Sequence, residues 1–161
     1  MNYGMIFIET LVYVVKEGKV LLIRKKRGLG AGYYNGIGGK VEDGENVVSA
    51  AIRECREEVG ITPRNLEWMG LLEFWNYEDD RVESVHFVHV FLARDFDGTP
   101  RESSEAEPIW FGIDEIPYNN MWEDDIMWLP KVLSDKRVYG RFEFDRWRLI
   151  KSEVYEVIPS K

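Results

Sequence analysis

Cysteine and histidine are scarce in this sequence: Cys55 is the only cysteine, and His86 and His89 are the two histidines in 161 residues. A single cysteine excludes an intrachain disulfide, and a reducing compartment, the cytoplasm, is the expected location. No Cys/His cluster predicts a zinc site. His86 and His89 lie three apart in a predicted strand and point to opposite faces, so we interpret them as ordinary sheet residues.

Long apolar runs and excess positive charge are also missing. No stretch approaches the roughly 20 apolar residues of a membrane span. The N-terminal MNYGMIFIET has no basic region before its apolar run, so no secretory signal is expected. Acidic residues number 29 against 21 basic ones, a net charge of -8. Such a surface repels a nucleic acid polymer, and an anionic ligand would need a cation or local positive charge to bind.

Length and hydrophobic periodicity predict one domain, residues 1–161, of α/β or α+β class. One confident helix is expected at 46–59, closed by Gly60, with an apolar stripe of Val48, Ala51, Ile52, Cys55 and Val59. A second, shorter helix is expected at 123–134. Predicted strands span 5–16, 19–27, 66–77, 84–95, 107–112, 138–145 and 149–157. Strands around a central helix, with another helix late in the chain, favour a mixed sheet between helices.

The predicted helix carries three glutamates, Glu54, Glu57 and Glu58, beside its apolar stripe. Their i, i+3 and i+4 spacing places the carboxylates within one arc of about 100°. Hard oxygen ligands of this kind suit Mg²⁺ or Mn²⁺. Taken alone, an ordinary solvated charged face is the more common reading of such a run.

The residues around these glutamates form a longer pattern. From Gly39 to Ile61 the chain matches G-x5-E-x7-R-E-U-x-E-E-x-G-U at every fixed position, and Cys55 takes one place usually held by Ile, Leu or Val. This segment resembles the signature of the Nudix hydrolases. The resemblance implies a Nudix fold, an α/β/α sandwich with a mixed sheet, and attack of water on a phosphorus of a diphosphate-containing substrate.

The resemblance also implies roles for the motif residues. Glu54, Glu57 and Glu58 would hold Mg²⁺, with Mn²⁺ as a possible substitute and the Gly39 carbonyl as a further ligand. Arg53 would orient a glutamate through a charge-assisted hydrogen bond; a surface ion pair is its alternative.

Beyond the motif, the segments KKRGLGAGYYNGIGGKVEDGE, GTPRESSEAEPIWF, MWEDDIMWLP and YGRFEF resemble the animal oxidised purine nucleoside triphosphatases. In the second segment, the resemblance implies that Glu105 supplements the metal site; a surface loop acid is its alternative. This family hydrolyses a damaged nucleoside triphosphate to the monophosphate and pyrophosphate, which keeps the base out of nucleic acid. The resemblance implies that the purine edge is read by Asn35, Asp124 and Asp125. It further implies that Trp122 stacks on the base and that Thr10 and Lys25 face the base or its surroundings.

Each of these assignments has a plainer alternative. Asn35-Gly36 is also a type I′ turn sequence, Asp124-Asp125 could cap the second helix, and Trp122 could be a core residue. Two close carboxylates in one pocket should not both ionise easily, so one is expected to stay protonated. Leu29 and Tyr34 depart from the Phe and Trp of the family, which leaves the preferred base open.

The sequence leaves two alternative functions open. One is a Nudix pyrophosphatase for another substrate, such as a normal dNTP, a dinucleoside polyphosphate or ADP-ribose. The other is a non-catalytic nucleotide- or RNA-binding module on the same fold, against which all three motif glutamates and the charge of -8 argue. The expected partner is a small nucleotide, with no nucleic acid polymer and no membrane, and the chain is expected to be a monomer.

Overall fold

The computed structural model describes residues 4–160, so residues 1–3 and 161 of the predicted domain lie outside the described part. Within residues 4–160 the chain forms eleven β-strands and two α-helices. The strands are Met5–Lys16 (β1), Lys19–Lys25 (β2), Tyr34–Asn35 (β3), Ile37–Lys40 (β4), Thr62–Arg64 (β5), Glu67–Glu78 (β6), Arg81–Ala93 (β7), Asp95–Asp97 (β8), Ala106–Gly112 (β9), Val138–Asp145 (β10) and Arg148–Glu156 (β11). The helices are Val47–Val59 (α1) and Asp125–Leu133 (α2).

Nine of the described strands form one mixed sheet: seven follow the order β11-β10-β6-β7-β1-β2-β3, β4 also pairs with β1, and β9 also pairs with β2. The β1–β7 and β6–β10 pairs are parallel, and the other pairs are antiparallel. One edge of β1 is shared by two strands: β2 pairs with Val14–Lys16, and β4 pairs with Glu9–Val12. The sheet therefore divides beside β4, and this division brings the Gly38-Gly39 backbone next to α1.

Each face of the sheet is covered by one helix, which confirms the predicted sandwich. Ala51, Cys55 and Val59 of α1 join a buried cluster on one face. Trp128, Leu129 and Val132 of α2 join the cluster on the other face. Full burial of a side chain of this size contributes roughly 1.5–3 kcal/mol, so the two helices are held mainly by these contacts. No helix in residues 4–160 is long and apolar enough to cross a membrane.

The first helix begins and ends as predicted. Asn46 caps it by accepting from the Ser49 N–H at 2.8 Å, and Gly60 closes it in the left-handed conformation at φ 73°. The predicted stripe was wrong at Val48, which is 44% exposed, while Ala50 is fully buried. The buried positions are centred on the i, i+4 series through Ala51, which turns Val48 to solvent.

Four short strands were missed. β3 and β4 lie in the Gly-rich stretch, and β5 and β8 form a separate two-stranded pair. The long strands and both helices confirm the predictions within a few residues. Strands of two to four residues carry too little alternation to be recognised, and Gly38 and Gly39 have no side chains to show it.

Candidate active site

A cleft of about 220 Å³ opens on the α2 side of the sheet. Its floor comes from β1, β6, β7 and β10, and its walls come from the Gly-rich loop and the segment before α2. Nine of the predicted site residues line it: Thr10, Lys25, Asn35, Gly39, Glu58, Glu105, Trp122, Asp124 and Asp125. Arg53, Glu54 and Glu57 lie outside the lining, on the adjoining face of α1.

Arg53 organises the acidic face of α1. Its Nε and Nη2 donate to both carboxylate oxygens of Glu45, at 2.8 and 3.0 Å. Its Nη1 donates to Glu54 at 2.8 Å and to Glu57 at 3.1 Å, and Nη2 also donates to the Lys40 carbonyl at 2.9 Å. The guanidinium therefore holds two motif glutamates and the end of β4 together, as expected for an orienting residue.

The motif glutamates differ in exposure. The Glu57 side chain is 59% exposed, whereas that of Glu54 is 14% exposed and touches the β4 backbone. A Cβ on Gly39 would lie 2.6 Å from the Glu54 carboxyl carbon, so only glycine permits this approach. Glu54 thus lies directly beside the Gly39 backbone at the rim of the cleft.

Glu58 is the most deeply placed of the three. Its Oε2 is buried and has no hydrogen-bond partner among the described residues. Burial raises the pKa of Glu58 to about 8, the Glu54 charge adds to the rise, and the Gly38 N–H opposes it. Burial also raises the pKa of Glu54, against the lowering effect of Arg53. A positive charge beside Glu54 and Glu58 would offset the effect of burial and favour the ionised form of both carboxyl groups.

These observations bear on whether the residues suit a divalent cation. Residues 4–160 contain no ready-made cluster of three or more His, Cys, Asp or Glu side chains in metal-binding positions. The unpartnered Glu58 oxygen and the Glu54 carboxylate beside Gly39 are nevertheless hard donors at one place. Glu57 would join them by turning from Arg53. The donor set therefore fits Mg²⁺ or a similar ion.

Asp124 and Asp125 lie at the other end of the cleft and are 2% and 3% exposed. Asp124 makes no side-chain cap hydrogen bond; it accepts from Trp128 Nε1 at 2.8 Å. The helix-cap alternative is therefore wrong. Asp125 Oδ2 has no partner among the described residues.

The two aspartates cannot easily ionise together. Burial raises the pKa of Asp124 to about 6, while the hydrogen bond from Trp128 opposes the rise. Burial and the Asp124 charge raise the pKa of Asp125 well above its ordinary value. Asp125 is therefore the one that keeps its proton near neutral pH, so the pair presents one acceptor group and one donor.

Asn35 faces the aspartates across the cleft. Neither Asn35 nor Gly36 has a positive φ, so the type I′ turn alternative is wrong. Asn35 Oδ1 accepts from the Gly36 N–H at 2.8 Å, which leaves its amide NH₂ for a ligand. A Cβ on Gly36 would lie 2.7 Å from the Tyr13 ring, so the glycine lets this fully buried tyrosine pack beneath the strand.

Trp122 is partly exposed and forms a wall of the cleft. Gly30, at φ 81°, lies against it: a Cβ there would be 3.1 Å from the indole. The Tyr33 ring meets Trp122 edge-on at 5.3 Å. The core alternative for Trp122 is wrong, since one face of the ring borders the cleft.

The remaining predicted positions lie around the same cleft. Thr10 is 1% exposed and its Oγ1 has no partner in the described chain. Lys25 Nζ donates to the Leu29 carbonyl at 2.7 Å, and its charge lowers the pKa of Glu58. Glu105 is exposed, lines the cleft and lies 3.6 Å from Arg27 Nε. Of the two family departures, Leu29 borders the cleft, whereas Tyr34 packs on Phe111 at 5.1 Å and does not.

Several lining residues were missed. His86, taken as an ordinary sheet residue, lines the cleft, and its Nδ1 lies 2.5 Å from Glu9 Oε1. Trp147 and Phe144 complete the aromatic lining. Side chains of β1 alternate between the two faces of the sheet, and Glu9 lies on the face that lines the cleft. A charged residue at a position where the alternation predicts an apolar one could have indicated the site from the sequence. Cys55 is fully buried and burial raises its pKa, which confirms the prediction of a packed thiol.

Comparisons with known proteins agree on the family. The model for the NUDIX domain matches residues 7–132. The chain is 47% identical over 135 residues to the oxidized purine nucleoside triphosphate hydrolase of Danio rerio, covering 84% of this chain and 85% of that protein. It is 43% identical over 137 residues to the enzyme of the same name from Mus musculus, covering 85% and 86%. The crystal structure of a MutT protein from Bacillus halodurans superimposes with a TM-score of 0.83 at 30% identity, covering 92% of this chain and 97% of that one.

Proposed function

This chain belongs to the Nudix family, and we propose that it hydrolyses an oxidised purine nucleoside triphosphate to the monophosphate and pyrophosphate. The proposal rests on one observation: a single cleft is lined both by the residues predicted to read the base and by residues of the Nudix motif. The cleft is lined by Asn35, Asp124 and Asp125, which we call its base end, and by Glu58 and the Gly39 backbone, which we call its motif end. The names of the two vertebrate relatives support the choice of substrate.

The base end suits a purine edge. Guanine and its oxidised form present neighbouring N–H donors and a carbonyl acceptor. A carboxylate accepts from the donors, a protonated carboxyl donates to the acceptor, and the Asn35 amide adds a further donor. Stacking on Trp122 adds roughly 1–3 kcal/mol and holds the base in plane.

The motif end suits the phosphates. We propose Mg²⁺ as the metal, with Mn²⁺ as a substitute, held by Glu54, Glu57, Glu58 and the Gly39 carbonyl, and supplemented by Glu105. When bound, the metal neutralises phosphate charge and lowers the pKa of a coordinated water. The proposed ligands are all carboxylate or carbonyl oxygens, which favours Mg²⁺ over zinc.

The protein side chains have separate tasks in this scheme. Arg53 restrains Glu54 and Glu57 through the hydrogen bonds described above, which fixes the directions of their carboxylates. Lys25 supplies a positive charge near Glu58 for a phosphate oxygen, and Thr10 offers a hydroxyl at the cleft wall. The raised pKa of Glu58, about 8, makes it able to hold a proton when no cation is near.

The setting of the enzyme belongs to the same proposal. One cysteine, buried and unreactive, suits the reducing cytoplasm. The net charge of -8 favours a small nucleotide bound through a cation over a nucleic acid polymer. We propose that the chain acts as a monomer, which size-exclusion chromatography with light scattering would test.

The decisive experiment is a comparison of kcat/KM for 8-oxo-dGTP, 2-oxo-dATP, dGTP and dATP with Mg²⁺, following pyrophosphate release. We expect an oxidised nucleotide to be preferred by at least about tenfold, which is roughly 1.4 kcal/mol in the transition state. Chelation by EDTA should stop turnover, and circular dichroism should show the fold unchanged. Equal, slow turnover of all four would overturn the substrate assignment and direct attention to dinucleoside polyphosphates and ADP-ribose.

A further inference from the structure

Glu9 and His86 form a hydrogen-bonded pair on the floor of the cleft that the proposed mechanism does not use. Glu9 Oε1 lies 2.5 Å from His86 Nδ1, and His86 Nε2 lies 3.2 Å from Ser84 Oγ. The two side chains are 23% and 15% exposed. The histidine occupies one carboxylate oxygen of Glu9. Since a carboxylate only accepts hydrogen bonds, the other oxygen can meet only a donor or a positive charge on a ligand.

Two aromatic rings contact His86: Phe7 stacks on it at 4.6 Å, and Trp147 meets it edge-on. Trp147 is central: its ring lies 5.4 Å from His86, 5.7 Å from Trp122 and 5.6 Å from Phe144. The Trp147 N–H donates to Asn76 Oδ1 at 2.9 Å, and Asn76 is fully buried. This hydrogen bond from the Trp147 backbone to a buried side chain anchors the β10–β11 turn, and the Trp147 ring lines the cleft.

Asp125 provides an independent sign of a ligand at this end. It is 3% exposed, it lines the cleft, and its Oδ2 has no partner in the described residues. Among the described residues that line the cleft, Lys25 is the one lysine or arginine, and it is tied to the Leu29 carbonyl in the Gly-rich loop. The base end thus combines ring faces with the carboxyl groups of Glu9, Asp124 and Asp125. Lys40 is the β4 partner of Glu9, but its Nζ lies over the Phe7 ring at 4.7 Å and the residue does not line the cleft.

From this combination we infer that the cleft prefers a purine with a delocalised positive charge, such as an N7-alkylated guanine, over the corresponding neutral purine. Aromatic faces attract a cation through their quadrupoles, and carboxylates attract it directly. Both attractions strengthen in a half-buried site. The inference rests on the proposed function, because it assumes that the base lies at this end, and it extends the substrate class from oxidised to alkylated purine nucleotides.

Binding of monophosphates without added metal tests the base end alone. Quenching of tryptophan fluorescence would give Kd at neutral pH for GMP, 7-methyl-GMP and 7-methyl-7-deaza-GMP. The last compound carries the same methyl group without the positive charge. We expect 7-methyl-GMP to bind about tenfold more tightly than its neutral isostere. Equal binding of the two would overturn the inference, because the methyl group alone would then explain any gain over GMP.

Variants locate the source of the preference. Glu9→Gln should lower the ratio of the two Kd values by about threefold or more, since it removes the charge and keeps the shape. Glu17→Gln makes the same change in the exposed β1–β2 turn and should leave the ratio unaltered. If Glu9→Gln fails to fold, Trp147→Leu is the second variant, with the same expected fall. An unaltered ratio in the folded variant would overturn the role of the residue changed.

Hydrolysis of 8-oxo-dGTP, measured in parallel, separates this inference from the proposed function. Turnover of 8-oxo-dGTP with no charge preference in binding would refute the inference alone. A charge preference without such turnover would refute the oxidised-purine substrate and retain the inference.

Discussion

The two ends of the cleft use carboxyl groups in opposite ways. On α1, Glu54 and Glu57 accept from the Arg53 guanidinium, so a fixed positive charge holds them. At the start of α2, Asp124 and Asp125 are buried without such a charge, and burial raises both pKa values. The same functional group is therefore paired with a fixed cation at one end and buried without one at the other.

This difference separates chemistry from selection. Anionic carboxylates at the motif end suit a cation and the phosphates that follow it. A carboxyl that keeps its proton at the base end can donate to a base carbonyl, which a carboxylate cannot do. Glu58 is intermediate: it belongs to the motif, yet its buried, unpartnered oxygen raises its pKa to about 8. A cation beside it would replace the proton.

Removing a carboxylate at the motif end should have the largest effect. Glu57→Gln is expected to lower kcat by about 100-fold or more, because a neutral amide is a weak ligand for a hard cation. Steady-state kinetics with 8-oxo-dGTP would measure this. Glu42→Gln is the matched control, since Glu42 is also exposed and lies 3.6 Å from Arg53. Similar kinetics for the two variants would contradict the metal role of Glu57.

Replacing the buried Asp124 should change how the free energy of unfolding depends on pH. The folded-state pKa of Asp124 is raised to about 6, so its contribution to stability is fully present below about pH 4 and is lost as the pH rises through 6. Asp124→Asn removes this titration and keeps an acceptor for Trp128. Its free energy of unfolding relative to wild type should rise by roughly 2–3 kcal/mol across that range.

Urea denaturation at a series of pH values would measure this difference. The pKa of Glu58 is raised as well, so stability falls with pH in both proteins for that reason. The contribution of Glu58 is the same in both proteins, so it cancels in the difference between their free energies of unfolding. Parallel curves would mean that Asp124 does not carry the buried charge.

Shortening Asn35 should change base selection more than phosphate chemistry. Asn35→Ala is expected to reduce the preference for an oxidised over a normal purine by about tenfold, since its amide donor is lost. The ratio of kcat/KM values measures this directly. Asn119→Ala, on the surface, should leave the ratio unchanged. An equal loss with all nucleotides would argue against base reading by Asn35.

Enlarging Leu29 should have the smallest effect. Leu29 borders the cleft and is 51% exposed, so Leu29→Phe has room to cover the base. KM for the preferred nucleotide should fall by about threefold, within the range of a partly exposed aromatic contact. A rise in KM would mean that the larger side chain blocks the cleft.

Much of the fold was predictable because its signals are local. The i, i+4 apolar series of α1, its Asn46 cap and its Gly60 end all lie within fifteen residues and need no tertiary information. The short strands β3 and β4 were not predictable in this way. β4 pairs with the part of the β1 edge that β2 leaves free, and β3 pairs with the end of β2, so both strands depend on partners that only the folded sheet provides.

In the site, too, the residues close together in the sequence were predictable and those brought together only by folding were not. The motif from Gly39 to Ile61 identified the glutamates, Arg53 and the metal chemistry expected of them. The predicted protonation of one aspartate agrees with the raised pKa values. His86 and Glu9 were missed because they are 77 residues apart and meet only through the parallel β1–β7 pair. Trp147 was missed because a turn residue gives no periodic signal.

By itself, the sequence determined the helix and the spacing of its carboxylates, because helical geometry places residues three and four apart on one face. The chemistry expected of those carboxylates was implied by the resemblance to the Nudix signature. Only the tertiary structure decided which carboxyl groups stay charged. Burial and partner choice set a pKa, and both depend on residues from other elements, such as Arg53 for Glu54 and Trp128 for Asp124.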